Sequence, residues 1–351
     1  MSGIKALAAI VLVSSLVLLS LNVVAQSVAK ESVDLPEPAY RATSVWIGDR
    51  ALIIGGRSRA GQHDTIVDYD PLSNHAAIRP TRLPSPRESP SSVWTGEYVY
   101  IFAGDSSGLR VPDILRYDPS TGVVEKMPEE LPMGLVGSSA IWYDSKAYVM
   151  GGHNGNISDM ILVYDPGEGT VTEFPTPLPT PRAGTSAVLV DDKFYVFGGR
   201  REMNFFSDII EIDPIAETVA LMSSQLPSPR YATSSVWDGH YAYIFGGADG
   251  NQSFDDVLRY DPHNDTLIDM DVHLPSSRDR TTAVWSGSVG YVFGGQTTTE
   301  EFDDILAFDP QGSVEEDDSD SDPGLVFAML GVVLILIALV VFAAKRSKKT
   351  E

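Results

Sequence analysis

SSVWDGHYAYIFGGADGNQSFDDVLRYDPHNDTLIDMDVHLPSSR, residues Ser234 to Arg278, reads as one complete structural unit. Ser-Ser-Val-Trp is a short apolar run, and Asp238-Gly239 after it is a hairpin signal, because both turn positions favour φ > 0. Tyr241 to Phe245 is a second strand, ended by Gly246-Gly247. A polar loop leads to a third strand, Val257 to Tyr260. At Asp261-Pro262 the proline pre-sets φ for a turn, and Thr266 to Met270 is the fourth strand. The unit is therefore a four-stranded antiparallel meander, with strands A to D.

The unit recurs. Gly pairs stand at Gly55-Gly56, Gly151-Gly152, Gly198-Gly199, Gly246-Gly247 and Gly294-Gly295, with Ala103-Gly104 in the second place. Aromatic-Asp-Pro turns stand at Tyr69, Tyr117, Tyr164, Tyr260 and Phe308, and Ile212-Asp213-Pro214 is the weak copy. Trp46, Trp94, Trp142, Trp237 and Trp285 end the A strands, with Leu189 standing in. Six copies follow at a spacing of 47 or 48 residues.

The Gly-Gly strand ends, the Tyr-Asp-Pro turns and the Leu-Pro-x-Pro-Arg loops at Leu83–Arg87, Leu178–Arg182 and Leu226–Arg230 resemble the Kelch repeat, a β-propeller blade of about 50 residues. The resemblance covers roughly residues 27 to 310. One departure is that Met127, Phe174, Leu221 and Met270 occupy the fourth-strand place where Kelch blades usually carry Trp.

The expected fold class is all-β: a six-bladed Kelch-type propeller over 26–310, followed by a C-terminal transmembrane helix. Ser27 to Pro36 aligns with Thr218 to Pro227, so the domain begins with a lone fourth strand, while the last unit stops after its third. The N-terminal outer strand is expected to complete the last blade, which removes the open edges of a linear stack.

Residues 1–25 read as a signal peptide: Lys5, an apolar core from Ala6 to Leu21, then Val23 and Ala25 at the cleavage rule, with an uncleaved anchor as the other reading. Residues 311–323 carry six carboxylates and no apolar periodicity and read as an acidic disordered spacer. Leu325–Ala344, within 324–344, is long and apolar enough to span a bilayer. Lys345, Arg346, Lys348 and Lys349 in the tail 345–351 place that end in the cytoplasm and the propeller outside the cell.

The chain has no cysteine, which excludes disulfides and thiolate sites. A formal net charge of −23 argues against nucleic-acid binding, which needs clustered Lys and Arg. Small residues open every A strand and fit the crowding at a propeller axis. The Gly pairs are read as backbone requirements, since no helix follows them. The acids before the C strands (Asp64, Asp113, Asp159, Asp208, Asp256, Asp304) are expected to satisfy turn amides, with a channel calcium as the alternative. Arg41, Arg87, Arg182, Arg230 and Arg278 are expected to bond neighbouring loop carbonyls, and a groove is expected where the third D–A loop lacks its Arg. Asn156, Asn251 and Asn264 are glycosylation sequons in loops.

Strand alternation puts the B–C and D–A loops on one face. The B–C loops differ in every blade, which marks them as carriers of specificity. Arg200, Arg201, Phe205 and Phe206, with Arg57, Arg59 and Arg110, form the candidate partner-binding rim, suited to an acidic peptide or carboxylated glycan. The leading expectation is a membrane-anchored extracellular recognition module, not an enzyme, with no cofactor, no metal site and an unknown protein or glycan partner. The alternatives are an enzyme of sialic acid mutarotase type, which the resemblance leaves open, and an inert surface protein. The copper-radical oxidases among Kelch-like propellers need a Cys–Tyr pair that this chain lacks.

Overall fold

The computed structural model describes residues 26–311, and Ser27–Pro310 forms one compact unit. The segments read as signal peptide, membrane helix and basic tail, and all of the spacer after Gln311, lie outside the described residues. No helix among the described residues is long and apolar enough to cross a membrane.

Six four-stranded antiparallel sheets make six blades. Blade 5 is the unit quoted above: Ser234–Trp237, Ala242–Phe245, Asp256–Asp261 and Thr266–His273. Blade 6 contributes Thr282–Trp285, Gly290–Phe293 and Asp304–Asp309, and its fourth strand is Ser27–Asp34 from the other end of the domain. Ser27 lies opposite Asp309 and Lys30 opposite Leu306, so the two chain ends close the ring as expected.

The B strands are buried almost end to end, because both faces of each blade are covered. Six apolar clusters fill the six gaps between neighbouring blades. The cluster at the seam joins Ile53, Val67 and Tyr69 of blade 1 to Tyr291, Phe293 and Ile305 of blade 6. A blade therefore buries its apolar faces only against its neighbours. Trp46 stacks on Tyr291 of blade 6 and Trp142 on Tyr100 of blade 2, each across a gap.

The small A-strand residues do more than fit. Their hydroxyls pair across all six gaps at the axis: Thr43–Ser92, Ser91–Ser138, Ser139–Thr185, Ser186–Thr233, Ser234–Thr281 and Ser44–Thr282, at 2.6 to 3.1 Å.

The D–A arginines make a second set of links. Arg182 is bonded through its backbone to blade 3: its N–H donates to Ser158 and its carbonyl accepts from Gly152. Its guanidinium reaches into blade 4, donating to the Gly198 carbonyl and to both oxygens of Asp208 at 2.7 and 3.0 Å. Arg87–Asp113, Arg230–Asp256 and Arg278–Asp304 repeat the arrangement, and all four arginines are fully buried. The expectation for the repeated acids is therefore corrected. Asp113, Asp208, Asp256 and Asp304 accept from guanidiniums rather than satisfy turn amides, because a buried Arg requires a carboxylate partner. The carbonyl that each arginine turns back explains the Gly pair: a Cβ at Gly55 or Gly246 would stand 2.5 Å from the carbonyl oxygen of Arg87 or Arg278.

Several register readings also change. Asp64, Asp159 and Arg41 do not belong to these series. Thr65 with Ala39 fills the pair's place in blade 1, and Met160 with Leu135, both packed in one apolar cluster, fills it in blade 3. On the fourth strand of blade 4 the core residue is Met222, and Leu221 is exposed. Leu221 pairs with Ile210 as Asp269 pairs with Leu258 and Lys126 with Leu115, so Met222, one residue on, is the equivalent of Met270 and Met127. At Asp238-Gly239 only the glycine has positive φ; the Asp238 carboxylate instead accepts the N–H groups of His240 and Tyr241, both at 2.6 Å. Three B–C loops prove to be two-stranded hairpins: Arg57–Ser58 with Gly61–Gln62, Asp105–Ser106 with Leu109–Arg110, and Arg200–Arg201 with Asn204–Phe205.

Candidate functional site: the channel mouth on the B–C and D–A face

Each D–A loop is tied to the start of the B–C loop of the blade it enters. The bridges are Tyr40 to Arg57, Glu88 to Asp105, Val136 to His153, Ala183 to Arg200, Tyr231 to Ala248 and Asp279 to Gln296. The two loop sets therefore share a face, as strand alternation requires. The next residue of each D–A loop closes a circle of backbone hydrogen bonds around the axis. Ser89 donates to Arg41, Gly137 to Ser89, Gly184 to Gly137, Ala232 to Gly184, Arg280 to Ala232 and Arg41 to Arg280, at 2.6 to 3.1 Å. All six have φ between 52° and 68°. Only two are glycine, although this left-handed conformation costs other residues about 1–2 kcal/mol.

The identities around this circle shape a cavity of about 250 Å³. Blades 3 and 4 contribute small residues, Val136-Gly137 and Ala183-Gly184, and the floor opens there. Four arginines line it, Arg41, Arg110, Arg200 and Arg280, against two carboxylates, Glu88 and Asp105. Glu88 is already engaged: it accepts from Arg41 at 2.5 Å and from Arg57 at 2.8 Å. Arg280 pairs with Asp279 and donates to the Tyr231 hydroxyl. Arg200 lies over the Tyr231 ring at 4.8 Å. Arg110 is exposed, and its guanidinium has no ion-pair or hydrogen-bond partner among the described residues.

His153 lines the same cavity as Arg110 and Arg200. Burial, and then those two charges, push its imidazole below its ordinary range. It is thus neutral at pH 7, and the mouth is cationic by its arginines. On a chain of net charge −23 this is a local reversal of sign that attracts and orients a carboxylate.

The structure brings Arg110 and Arg200 together at this mouth, and it places the other expected rim residues elsewhere. Arg57 is held on Glu88 beside the cavity. Arg59 bonds the Thr299 carbonyl, and its backbone N–H donates to Glu301, tying blade 1 to blade 6. Arg201 is exposed and borders a second cavity with Arg200. Phe205 lies against Tyr231 at 5.4 Å. Phe206 lies under Arg182 at 4.5 Å, as Phe254 and Phe302 lie under Arg230 and Arg278, so it has a scaffold role.

A model of the family described as the KLHDC2/KLHL20/DRC7 Kelch-repeats domain matches residues 137–314. The chain belongs to this Kelch-repeat family. The match begins at Gly137, so Arg41, Arg57 and Arg110 lie before it. No curated protein matches the sequence. Kelch propellers serve in general as protein–protein interaction modules, and the mouth is a surface of this Kelch domain that carries unpaired charge.

Two other features of the Kelch ring carry chemistry-bearing residues. Ser58 lies 3.2 Å from His63, which lies 3.6 Å from Glu37. Ser58 and His63 are buried, and neither mouth cavity is lined by them. At the opposite end of the axis, Trp46, Trp94, Trp142, Trp285 and Leu189 surround an opening of about 270 Å³. Among the described residues no group of acids and histidines is placed to hold a metal.

Sequence reading did not assign Arg41, Arg280, Tyr231 and His153 to a site. The signal for them is the variation among equivalent places in the Kelch repeat. Where five blades agree, a residue serves the scaffold. The circle reads Arg, Ser, Gly, Gly, Ala, Arg, so it serves something that is not six-fold.

Proposed function

We propose that this Kelch propeller is an exported recognition module, anchored by Leu325–Ala344, that holds an anionic group of a protein partner at the channel mouth. The observation that carries the reading is that Arg110 and Arg200 line one cavity with neutral His153, neither in an ion pair with a carboxylate among the described residues, on an otherwise acidic chain. The propeller acts by binding and not by catalysis. The six-fold hydroxyl and backbone circles fix the loop bases, so the arginines are presented on a rigid rim and little ordering opposes binding. The strand Asp304–Asp309 runs away from the mouth and ends on the opposite face of the ring.

The test uses the full-length chain with Arg110→Ala and Arg200→Ala, singly and together, in quantitative pull-down from an extracellular fraction. The double variant is expected to lose partner binding at least about tenfold, each charge-assisted contact being worth about 1.5–3 kcal/mol. Retention of the same partners by the double variant, with unchanged thermal stability, refutes the reading. Protease protection in sealed vesicles tests the topology: the propeller is expected to be digested from the extracellular side.

A further inference from the structure

The opening at the far end of the axis, about 270 Å³ in volume, is built differently from the mouth. Its indoles come from four consecutive blades: Trp285 of blade 6, Trp46 of blade 1, Trp94 of blade 2 and Trp142 of blade 3. All four are partly exposed. Leu189 ends the arc in blade 4, and Trp237 of blade 5 instead meets His263 edge-on at 6.3 Å. Tyr291 and Tyr100 back Trp46 and Trp142 at 6.1 and 6.2 Å, which fixes the planes of those two indoles. No charged side chain lines the opening, and its two hydroxyls, Ser44 and Ser92, are paired with Thr282 and Thr43. Charge enters from the rim instead. Each A strand ends at this opening, so the A–B turns surround it. Five of the six turns carry carboxylates: Asp49, Glu97, Asp144, Asp191 with Asp192, and Asp238. The basic residues that follow are taken up by carboxylates, Arg50 by Asp49 and Asp68, Lys146 by Asp165 and Lys193 by Glu211. Glu97, Asp144, Asp191, Asp192 and Asp238 have no ion-pair partner among the described residues.

We propose that this opening binds a small quaternary ammonium ion of the choline type. The electron-rich face of an indole attracts a cation, and tryptophan does so best among the aromatic side chains. The acidic rim raises the local concentration of cations. A fully methylated nitrogen has no N–H, so it needs no acceptor in the wall. A primary ammonium loses its water here without a carboxylate in the wall to replace it. A sugar also stacks on indoles, but its hydroxyls meet a wall whose own hydroxyls are already paired. A phosphate or carboxylate joined to the cation is repelled by the rim, which favours the free ion over the phosphocholine headgroup of a lipid. The volume lies below the roughly 300–1,000 Å³ of pockets for drug-sized ligands, so the ligand is small. The site stands at the other end of the axis from the arginines and does not depend on what the mouth binds.

The test titrates three compounds into the full-length chain, held in a choline-free detergent, by isothermal calorimetry. They are choline, phosphocholine, and the neutral isostere of choline in which a tert-butyl group replaces the trimethylammonium. Choline is expected to bind saturably, and the other two at least about tenfold more weakly. Trp94→Leu with Trp285→Leu is expected to weaken choline at least about tenfold. Leu189 fills the same place in blade 4, so the fold accepts leucine there. Asp191→Asn with Asp192→Asn is expected to weaken choline at low salt and to match the parent at high salt, because exposed charges are screened. Asparagine tolerates the left-handed backbone at Asp191, φ 51°. Equal affinity for choline and its neutral isostere overturns the cation and leaves an apolar opening. Tighter binding of phosphocholine overturns the free ion in favour of a lipid headgroup. Absence of saturable choline binding, or choline binding untouched by the tryptophan variant, overturns the site. The isostere comparison uses the parent chain, so it decides even where the double tryptophan variant does not fold.

Discussion

Ala232 and Arg280 hold the same backbone shape for different reasons. Both sit in the left-handed region of the axial circle, at φ 57°, where Gly137 and Gly184 show that glycine suffices. Ala232→Gly removes a strain of about 1–2 kcal/mol and adds roughly 0.5–1 kcal/mol of chain entropy in the unfolded state. A small gain in stability, about 0.5–1 kcal/mol or roughly 2 °C in Tm, is expected by calorimetry. Arg280→Gly relieves the same strain but removes the contacts to Asp279 and Tyr231. Its stability is expected to fall by about 1–3 kcal/mol, because the strain relieved offsets only part of the cost of leaving the buried Asp279 carboxylate with the Ser253 hydroxyl and no guanidinium, while affinity for an acidic peptide falls at least about tenfold. Equal loss of stability in both variants would show the circle to be intolerant of glycine and the arginine merely structural. His153 adds a pH signature. Its folded pKa is lowered, so it is neutral in the free protein; a bound carboxylate favours its charged form, and binding takes up a proton. Affinity is therefore expected to rise as pH falls from about 7 toward the lowered His153 pKa, and His153→Ala flattens that slope, as titration calorimetry at several pH values would show.

Between blades, the arginine links show which contacts the fold requires and which it can exchange. Arg182 is buried with Asp208, and removing the acid leaves an uncompensated charge. Asp208→Ala is expected to cost about 3–5 kcal/mol in denaturant unfolding. Blade 3 supplies the apolar alternative at the same place, Leu135 with Met160. The double variant Arg182→Leu, Asp208→Met is thus expected to recover most of the loss, and additive losses in the double would contradict that equivalence. This level of structure was partly legible in the sequence. The arginines and the acids were each visible as series, yet their pairing was not, because partners 26 residues apart meet only once the D–A loop crosses a gap between blades. Arg41 was placed in the arginine series for the same reason: without the backbone circle, nothing separates it from Ala39, two residues earlier. The hairpins of blades 1, 2 and 4 were read as plain loops because two-residue strands leave no alternation to see.

The whole ring was legible because its period is fixed by a constraint that each unit repeats, whereas the mouth was legible only in part because its working residues are where the period fails. Arg110 and Arg200 stood out in divergent loops; His153 and Tyr231 did not, since a single His or Tyr carries no pattern. The closure itself followed from phase, one lone D strand at one end and one missing at the other. That closure makes a sharp prediction. Ser27–Asp34 is the outermost strand of blade 6 and has a partner strand on one side only. Successive N–H groups of such a strand point alternately toward Asp304–Asp309 and away from it. Ala29 and Lys30 are adjacent, so proline at one removes a ladder hydrogen bond and proline at the other does not. One of Ala29→Pro and Lys30→Pro is expected to destabilise by about 3 kcal/mol, and the other to be nearly silent. The costly variant frees both ends of the array at once, because this is the strand that joins the two chain ends within one sheet. It is expected to form dimers or larger species by exchanging the strand between chains, seen as concentration-dependent elution in size-exclusion chromatography. Two silent variants would mean that the N-terminal strand does not hold the ring shut.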